Sequence, residues 1–264
     1  MQTRPGRLNA GDVPIAKSET GFATGVYDVR LLTYNIHKGV GGRDRLYRLE
    51  RIVEVIDREQ PDLICLQEVT HGARRSRFHD QARILADHFQ FPGTAFQMNV
   101  HWKVGGYGNL LLSRWPFRCR HHISLRCQQK KPRGAQLVVV DTPFGPMHLV
   151  NVHLGLAERE RHWQIAHLLD HRLFAEGNGM PLIIAGDSND WRNTLVGGRL
   201  AGMSLRLVSS PPSKFRTFPA WLPLGSLDKV FCCDRVKVAA AHVVRTQTAR
   251  RASDHLPMVV DFDI

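Results

Sequence analysis

The sequence lacks several features that would point away from an ordinary globular protein. No part of the 264-residue chain approaches the roughly 18 consecutive apolar residues that a membrane-spanning helix needs. Residues 1–25 are basic at the start but contain no apolar core of the kind found in a secretory signal peptide. The five cysteines are an odd number without C-x-x-C spacing, which argues against a disulfide framework and favours reduced thiols. These absences predict a soluble, cytoplasmic protein.

Acidic residues are scarce relative to basic ones. There are 24 Asp and Glu against 36 Lys and Arg, so the formal net charge is +12. A charge of this sign favours a polyanionic partner, because basic side chains release condensed counterions when they neutralise phosphates. Nucleic acid, an anionic lipid surface and a phosphorylated small molecule all satisfy this condition. Basic clusters fall in segments predicted to be loops, at 74–77, 118–126, 130–133 and 250–251.

The hydrophobic pattern predicts a mixed α/β protein. Val29–Asn35 and Leu63–Leu66 read as buried strands, and Ala157–Phe174 has the clearest amphipathic helical pattern. Helices and strands do not alternate regularly, so helices that cover a two-sheet core fit better than a doubly wound sheet. With no repeat and no linker, we expect a flexible lead-in at 1–27 and a single domain at 28–264.

Polar residues of a restricted kind stand at the ends of the predicted strands. Any one of them could be a turn or capping residue, but their joint occurrence favours a site. Carboxylates with an amide suit Mg²⁺ or Mn²⁺, whereas zinc is disfavoured by the absence of HExxH and of Cys/His ligand spacing. A hard cation, a carboxylate that activates water and imidazoles that contact phosphate describe metal-assisted hydrolysis of a phosphate ester. The residues are Asn35, Glu68, His153, Asp187, Asn189, Asp228, Asp254 and His255.

Ordered segments of the chain resemble the motifs of the endonuclease/exonuclease/phosphatase superfamily. The resemblance runs from Val29 to the C-terminus, and the combination of LQE, GD-S-N and SDH is specific. It implies a four-layer α/β/β/α sandwich, in which two mixed β-sheets pack face to face with helices outside and the site lies at one end. The segments are TYNIHKG, LICLQEV, GYGNLLLSRWP, VNVHL, LIIAGDSND, LDKVF and SDHLPMVV.

The resemblance also implies roles at the metal and the water. Glu68 matches the direct metal ligand, with Asn35 and Asp254 in the same metal set. Asp187 matches the carboxylate that orients or activates the attacking water, and Asn189 the amide that holds the phosphate or that water. We expect Asp187 to be the base.

Further roles follow for the imidazoles. His255 matches the histidine that binds the scissile phosphate, with Asp254 as its orienting partner. His153 falls where deoxyribonuclease-like and sphingomyelinase-like members have a second histidine, and either it or a metal-bound water would protonate the leaving group. Asp228 matches an acid that orients the neighbouring histidine. Additional substrate-binding candidates are Asn109, Asn151, Trp191 and Arg133.

The expected activity is therefore Mg²⁺- or Mn²⁺-dependent hydrolysis of a phosphodiester by a monomeric enzyme. Nucleic acid is the leading substrate, because a basic nuclease gains affinity from every phosphate it spans. A phospholipid or a soluble phosphate ester is the alternative substrate. A non-catalytic binder of nucleic acid or phosphoinositide is a third interpretation, which the intact polar set disfavours.

Overall fold

The computed structural model describes residues 28–264, so the predicted lead-in at 1–27 lies outside the described residues. The described chain forms two six-stranded mixed sheets. The strands are β1 (Val29–Asn35), β2 (Leu63–His71), β3 (Gly93–His101), β4 (Gly106–Ser113), β5 (Phe117–Ser124), β6 (Gly134–Thr142), β7 (Gly145–His153), β8 (Leu182–Asp187), β9 (Arg206–Leu207), β10 (Asp228–Cys232), β11 (Lys237–Val243) and β12 (Met258–Asp263).

The two sheets are built alike. The first has the strand order β11-β12-β1-β2-β4-β3, and the second has the order β5-β6-β7-β8-β10-β9. Only the pairs β1–β2 and β7–β8 are parallel among these neighbours, and they occupy the middle of the two sheets. The apolar run Leu63–Leu66 is buried on both faces, as expected for a central strand.

Helices cover the outer faces and complete the four layers. The helices are α1 (Leu49–Glu59), α2 (Gln81–Phe89), α3 (Glu158–Asp170), α4 (Arg172–Ala175), α5 (Gly198–Gly202) and α6 (Gln247–Ala252). One apolar core fills the space between the sheets and continues under α1, α2 and α6, while a second lies between the second sheet and α3, α4 and α5. The four-layer α/β/β/α sandwich is thereby confirmed.

Two basic segments are not the loops that their composition predicts. Residues 250–251 lie in the helix α6. Residues 118–126 fall largely within β5, which is an edge strand paired only with β6. The alternation of half-buried and exposed residues along this strand carries few apolar side chains, so the sequence pattern resembled a loop.

Strand register brings the polar residues to one end of the sandwich. Asn35 at the end of β1 pairs with Gln67 of β2, and His153 at the end of β7 pairs with Asp187 of β8. Asp187 also pairs with Asp228 at the start of the antiparallel β10. Since the carboxyl ends of parallel neighbours meet at the same edge, distant parts of the sequence converge there.

Candidate active site

Asp187 lies at the centre of the converging residues and is buried. Its Oδ2 accepts a hydrogen bond from Nδ2 of Asn35 at 2.9 Å, and its Oδ1 accepts one from the backbone N–H of Asn189 at 3.0 Å. Gly186 precedes it with φ of 143°, and a Cβ there would lie 1.9 Å from the carbonyl oxygen of Val152. The close strand approach that needs this glycine therefore helps to fix the Asp187 carboxylate.

His255 is a buried imidazole between two carboxylates. Its Nδ1 lies 2.8 Å from Oδ2 of Asp228, and its Nε2 lies 3.8 Å from Oδ2 of Asp187. Burial opposes the charged form, but Asp228 and Asp187 outweigh it and raise the pKa of His255 to about 10. The ring also packs against Phe218 at 4.9 Å between centroids. The residue is consequently a fixed imidazolium at neutral pH.

The pKa of Asp187 is shifted in the direction that favours a base. Burial raises the pKa of Asp187 to about 6; the imidazolium of His255 opposes this and the charge of Asp228 adds to it. At pH 7 the group is therefore mostly ionised yet more basic than an exposed aspartate. A carboxylate with these properties can accept a proton from water.

His153 is the second imidazole of the site and differs from His255 in charge. Its Nε2 lies 3.4 Å from Oδ2 of Asp187, and Nη1 of Arg133 lies 2.6 Å from the same nitrogen. Burial, Arg133 and His255 hold the pKa of His153 well below its usual range, so the ring is neutral and accepts from Arg133. The Nε of Arg133 is buried and has no hydrogen-bond partner among the described residues.

Glu68 stands at an irregularity of β2. The β2–β4 register shifts between Leu66 and Val69, and Glu68 has φ of 59°, which is rare for a residue with a side chain. Its Oε2 forms an ion pair with Nζ of Lys38. Burial opposes ionisation, but Lys38, His37 and Lys131 hold the pKa of Glu68 below its usual value. The strained backbone thus presents an ionised carboxylate to surrounding cations.

Asp254 contacts a different histidine from the one expected. Its Oδ1 lies 3.7 Å from Nδ1 of His37 and 3.4 Å from the hydroxyl of Ser253, which donates to the carbonyl oxygen of Asn35 at 2.7 Å. The prediction that Asp254 orients His255 is therefore corrected, since Asp228 accepts from that ring. Asp254 lies beside Asn35, so it can still belong to the predicted set of metal ligands.

The donor chemistry fits a hard divalent cation. Glu68, Asp254 and the Asn35 amide supply oxygen atoms, and the ammonium group of Lys38 already shows that Glu68 attracts a cation. Ligand atoms of Asp187, Asp228 and His255 also lie within 4.8 Å of one another. In that group the close contact of Asp228 with Nδ1 of His255 commits both atoms to a hydrogen bond, which favours the oxygen set for the metal.

Asn189 and Ser188 act on the backbone of the site. The Nδ2 of Asn189 donates to the carbonyl oxygen of Leu154 at 3.0 Å, so its amide nitrogen holds a loop. The hydroxyl of Ser188 donates to the carbonyl oxygen of Leu227 at 2.6 Å. These bonds join the loops after β7 and β8 to the segment before β10.

The four additional substrate candidates have different surroundings. Asn151 is buried between the sheets, where its Nδ2 donates to Leu66, Leu110 and Gln136 and its Oδ1 accepts from Gln67, so we correct it to a structural residue. Asn109 is also buried and donates to the carbonyl oxygen of Gly134. Arg133 reaches His153, whereas Trp191 is 54% exposed beside Phe218.

Three residues of the site were not identified from the sequence. They are Lys38, which pairs with Glu68, Phe218, which packs on His255, and His37, which contacts Asp254. Lys38 stands in the TYNIHKG motif, three residues after Asn35, so the motif contained a signal. Its partner Glu68 is 30 positions away and meets it only through the parallel β1–β2 pairing. Phe218 carries no chemical group that a search for catalytic side chains would single out.

Comparison with known proteins places the chain in a family. Residues 32–255 match the profile of the Endonuclease/Exonuclease/phosphatase family. The uncharacterized protein YbhP of Escherichia coli is 28% identical over 251 residues, covering 90% of this chain and 97% of YbhP.

Solved structures give the same result. An endonuclease/exonuclease/phosphatase from Beutenbergia cavernae is 26% identical and superposes with a TM-score of 0.75, covering 90% of this chain and 72% of that one. The catalytic domain of human Nocturnin with a bound sulfate anion has a TM-score of 0.69 at 22% identity, covering 89% and 93%. None of the helices between residues 28 and 264 has the length and apolar character of a membrane span.

The match to the family profile covers most of the chain. The chain belongs to the endonuclease/exonuclease/phosphatase family, whose members are phosphoesterase hydrolases.

Proposed function

We propose that this protein is a Mg²⁺- or Mn²⁺-dependent hydrolase that cleaves phosphodiester bonds in nucleic acid. The observation that carries the proposal is the buried line Asp228–His255–Asp187, in which an imidazolium lies between two carboxylates at the end of the sandwich. A cationic donor beside a basic carboxylate matches the needs of phosphate hydrolysis, where water must be deprotonated and charge develops on phosphate oxygens.

The residues divide the work as follows. Asp187 accepts the proton of the attacking water, with its carboxylate oriented by Asn35 and by the backbone of Asn189. His255 donates a hydrogen bond from Nε2 to a phosphate oxygen, and Asp228 keeps the ring protonated and correctly turned. His153 lies within reach of the same region, but its ring is neutral and its Nε2 accepts from Arg133, so we assign it to holding Arg133 and the leaving group takes its proton from water.

The divalent cation would be held by Glu68, with Asn35 and Asp254. When bound, it would neutralise negative charge on the phosphate. The ammonium group of Lys38 pairs with Glu68 in this structure, so Lys38 supplies positive charge beside the carboxylate that would hold the metal.

Cationic side chains next to His153 support nucleic acid as the substrate. Arg133 and Arg126 line an open cavity of about 510 Å³, and Lys130 and Lys131 line an adjoining one with Arg133. Positive charges beside the reacting centre can bind successive phosphates of a nucleic-acid backbone.

Exposed apolar side chains support a phospholipid as the second candidate substrate. Trp191, Trp221, Leu222 and Leu224 are each at least 43% exposed. Trp191 packs against Phe218, which contacts His255, so this surface reaches the candidate site. Tryptophan and leucine beside basic groups are typical of surfaces that enter the headgroup region of a membrane.

The proposal is tested by Mg²⁺-dependent nicking of supercoiled plasmid. Nicking should require Mg²⁺ and should disappear with EDTA and in the variants Asp187→Asn and His255→Ala. The matched variant Asp170→Asn, whose carboxylate forms an exposed ion pair with Arg199, should nick at the wild-type rate.

The same preparations, incubated with vesicles of phosphatidylglycerol, test the second candidate. Phosphate-ester release from vesicles without plasmid nicking would replace nucleic acid by lipid. Failure of both substrates with a folded, Mg²⁺-supplied enzyme would contradict the proposed diesterase activity.

Two further properties complete the proposal. We propose that the enzyme is a monomer of the cytoplasm, a compartment that suits its five free cysteines. Analytical ultracentrifugation tests the first property, and cell fractionation tests the second.

A further inference from the structure

A second group of metal-ligating side chains lies away from the candidate active site. Ligand atoms of Cys119, His121 and Glu176 are all within 4.8 Å of one another. The Nε2 of His121 lies 2.6 Å from Oε2 of Glu176, and Cys119 is a free, half-buried thiol. Thiolate, imidazole and carboxylate together form a donor set that suits zinc.

Strand register explains why these groups meet. Cys119 and His121 are two positions apart in β5, after the bulge that follows Phe117, so both side chains point to one face of the sheet. That face is the outer one, because Cys119 pairs with Val139, which pairs with His148, and the His148 ring packs on Phe174 of α4. Glu176 directly follows α4, and its carboxylate contacts His121 on this face.

The surrounding chain is built closely around this point. Gly177 passes so near to His148 that a Cβ on the glycine would lie 1.9 Å from Nδ1 of the ring. The backbone that carries Glu176 is thus held against the sheet.

This group is remote from the candidate active site. His148 and His153 lie on the same strand, five positions apart, which corresponds to about 16 Å at roughly 3.3 Å per residue. Cys119 lies on β5, which is two strands away from β7, with β6 between them. A cation here would not be the one held by Glu68, and the candidate active site has no cysteine among its donors.

We propose that Cys119, His121 and Glu176 form a second metal site, which binds zinc through one sulfur, one nitrogen and one oxygen ligand. Three protein ligands leave a fourth tetrahedral position for water. The site joins the edge strand β5 to the segment after α4, and so ties down an edge that is paired on one side only. Glu176 lies 55 positions after His121, which is why ligand spacing in the sequence did not indicate the site.

Cobalt substitution gives a test that does not depend on enzymatic activity. Titration of the metal-free full-length protein with Co²⁺ should produce a thiolate-to-cobalt charge-transfer band in the near ultraviolet, and Zn²⁺ should displace it. The variant Cys119→Ser should lack the band, while Cys127→Ser, at another half-buried cysteine, should retain it. Co²⁺ at the oxygen ligands of the candidate active site gives no such band.

Zinc affinity measured by competition with a chromophoric chelator completes the experiment. Cys119→Ser and His121→Ala should each weaken zinc binding by at least about 100-fold, the upper end of what loss of an outer-shell partner costs. Zinc should raise the melting temperature of the wild type but not of Cys119→Ser. Absence of a thiolate band in the wild type, or a band that persists in Cys119→Ser, would overturn the proposal.

Discussion

Replacement of Asp228 by asparagine should separate the charge of His255 from its position. Asparagine has the same shape and can still accept from Nδ1 of His255, which lies 2.8 Å from Oδ2 of Asp228, but it carries no charge. Asp228 is fully buried and is the foremost of the groups that raise the pKa of His255 to about 10. The substitution therefore acts mainly on the protonation of the imidazole.

The magnitude follows from the geometry. An opposite charge at this distance shifts a pKa by about 1–3, so the pKa of His255 should fall from about 10 to between about 7 and 9. This corresponds to about 1.4–4 kcal/mol of lost stabilisation of the imidazolium. If catalysis requires the protonated ring, the rate should fall about tenfold per pH unit above the new pKa.

The assay is the pH dependence of phosphodiester hydrolysis, with the pKa of His255 followed in parallel by NMR of the imidazole. The alkaline limb of the profile should move to lower pH together with the NMR titration. Asp261→Asn is the matched control, because it removes a buried partner of Arg30 near the start of β1, far from Asn35 at the end of the strand. An alkaline limb that stays in place in Asp228→Asn would refute the reasoning.

Four further outcomes are expected. The wild-type rate should rise as pH increases through about 6, since Asp187 must lose its proton to act as a base. It should fall again toward a pH of about 10, where His255 loses its proton. A rate that is flat across pH 6 would exclude Asp187 as the titrating base. Glu68→Gln should raise the Mg²⁺ concentration needed for half-maximal rate by on the order of 10-fold or more, whereas Glu59→Gln should not, and an unchanged Mg²⁺ titration would move the ligand elsewhere. Asn151→Ala should lower the free energy of unfolding by about 2–4 kcal/mol in chemical denaturation, because Gln67 loses its acceptor inside the protein, while the folded fraction keeps its turnover; a selective loss of turnover would restore Asn151 to substrate binding. Deletion of residues 1–24 should leave activity intact, because the strand that carries Asn35 begins at Val29 and the match to the family profile begins at residue 32; an inactive truncated protein would contradict this.

Much of the fold could be predicted from apolar runs that end in polar residues. The segments around Asn35, Glu68 and Asp187 each read as a buried strand. The structure places Asn35 and Asp187 at strand ends, whereas β2 continues past Glu68, which lies at the register shift with β4. The four layers followed from the family resemblance rather than from periodicity. The strand β5 was not predicted, because an edge strand buries few side chains and its local pattern is therefore weak. Its pairing with β6 decides its conformation instead.

The contacts of the site were less accessible to sequence reasoning. Asp254 adjoins His255 in the sequence, yet Asp228 accepts from its ring from 27 positions away. The β8–β10 pairing of Asp187 with Asp228 decides this, and register between distant strands is not encoded in local spacing. Asn151 is likewise a substrate-binding candidate in the sequence, but its hydrogen bonds join the two sheets.

We propose that Asp187 and His255 carry out phosphodiester hydrolysis whatever the natural substrate. The most direct test is the turnover of bis(p-nitrophenyl) phosphate with Mg²⁺ by wild type, Asp187→Asn and His255→Ala, each verified as folded by circular dichroism. We predict that wild type releases nitrophenolate and that each variant is slower by about 10²–10⁴-fold. Equal rates in wild type and Asp187→Asn would contradict the account and place the chemistry at other residues.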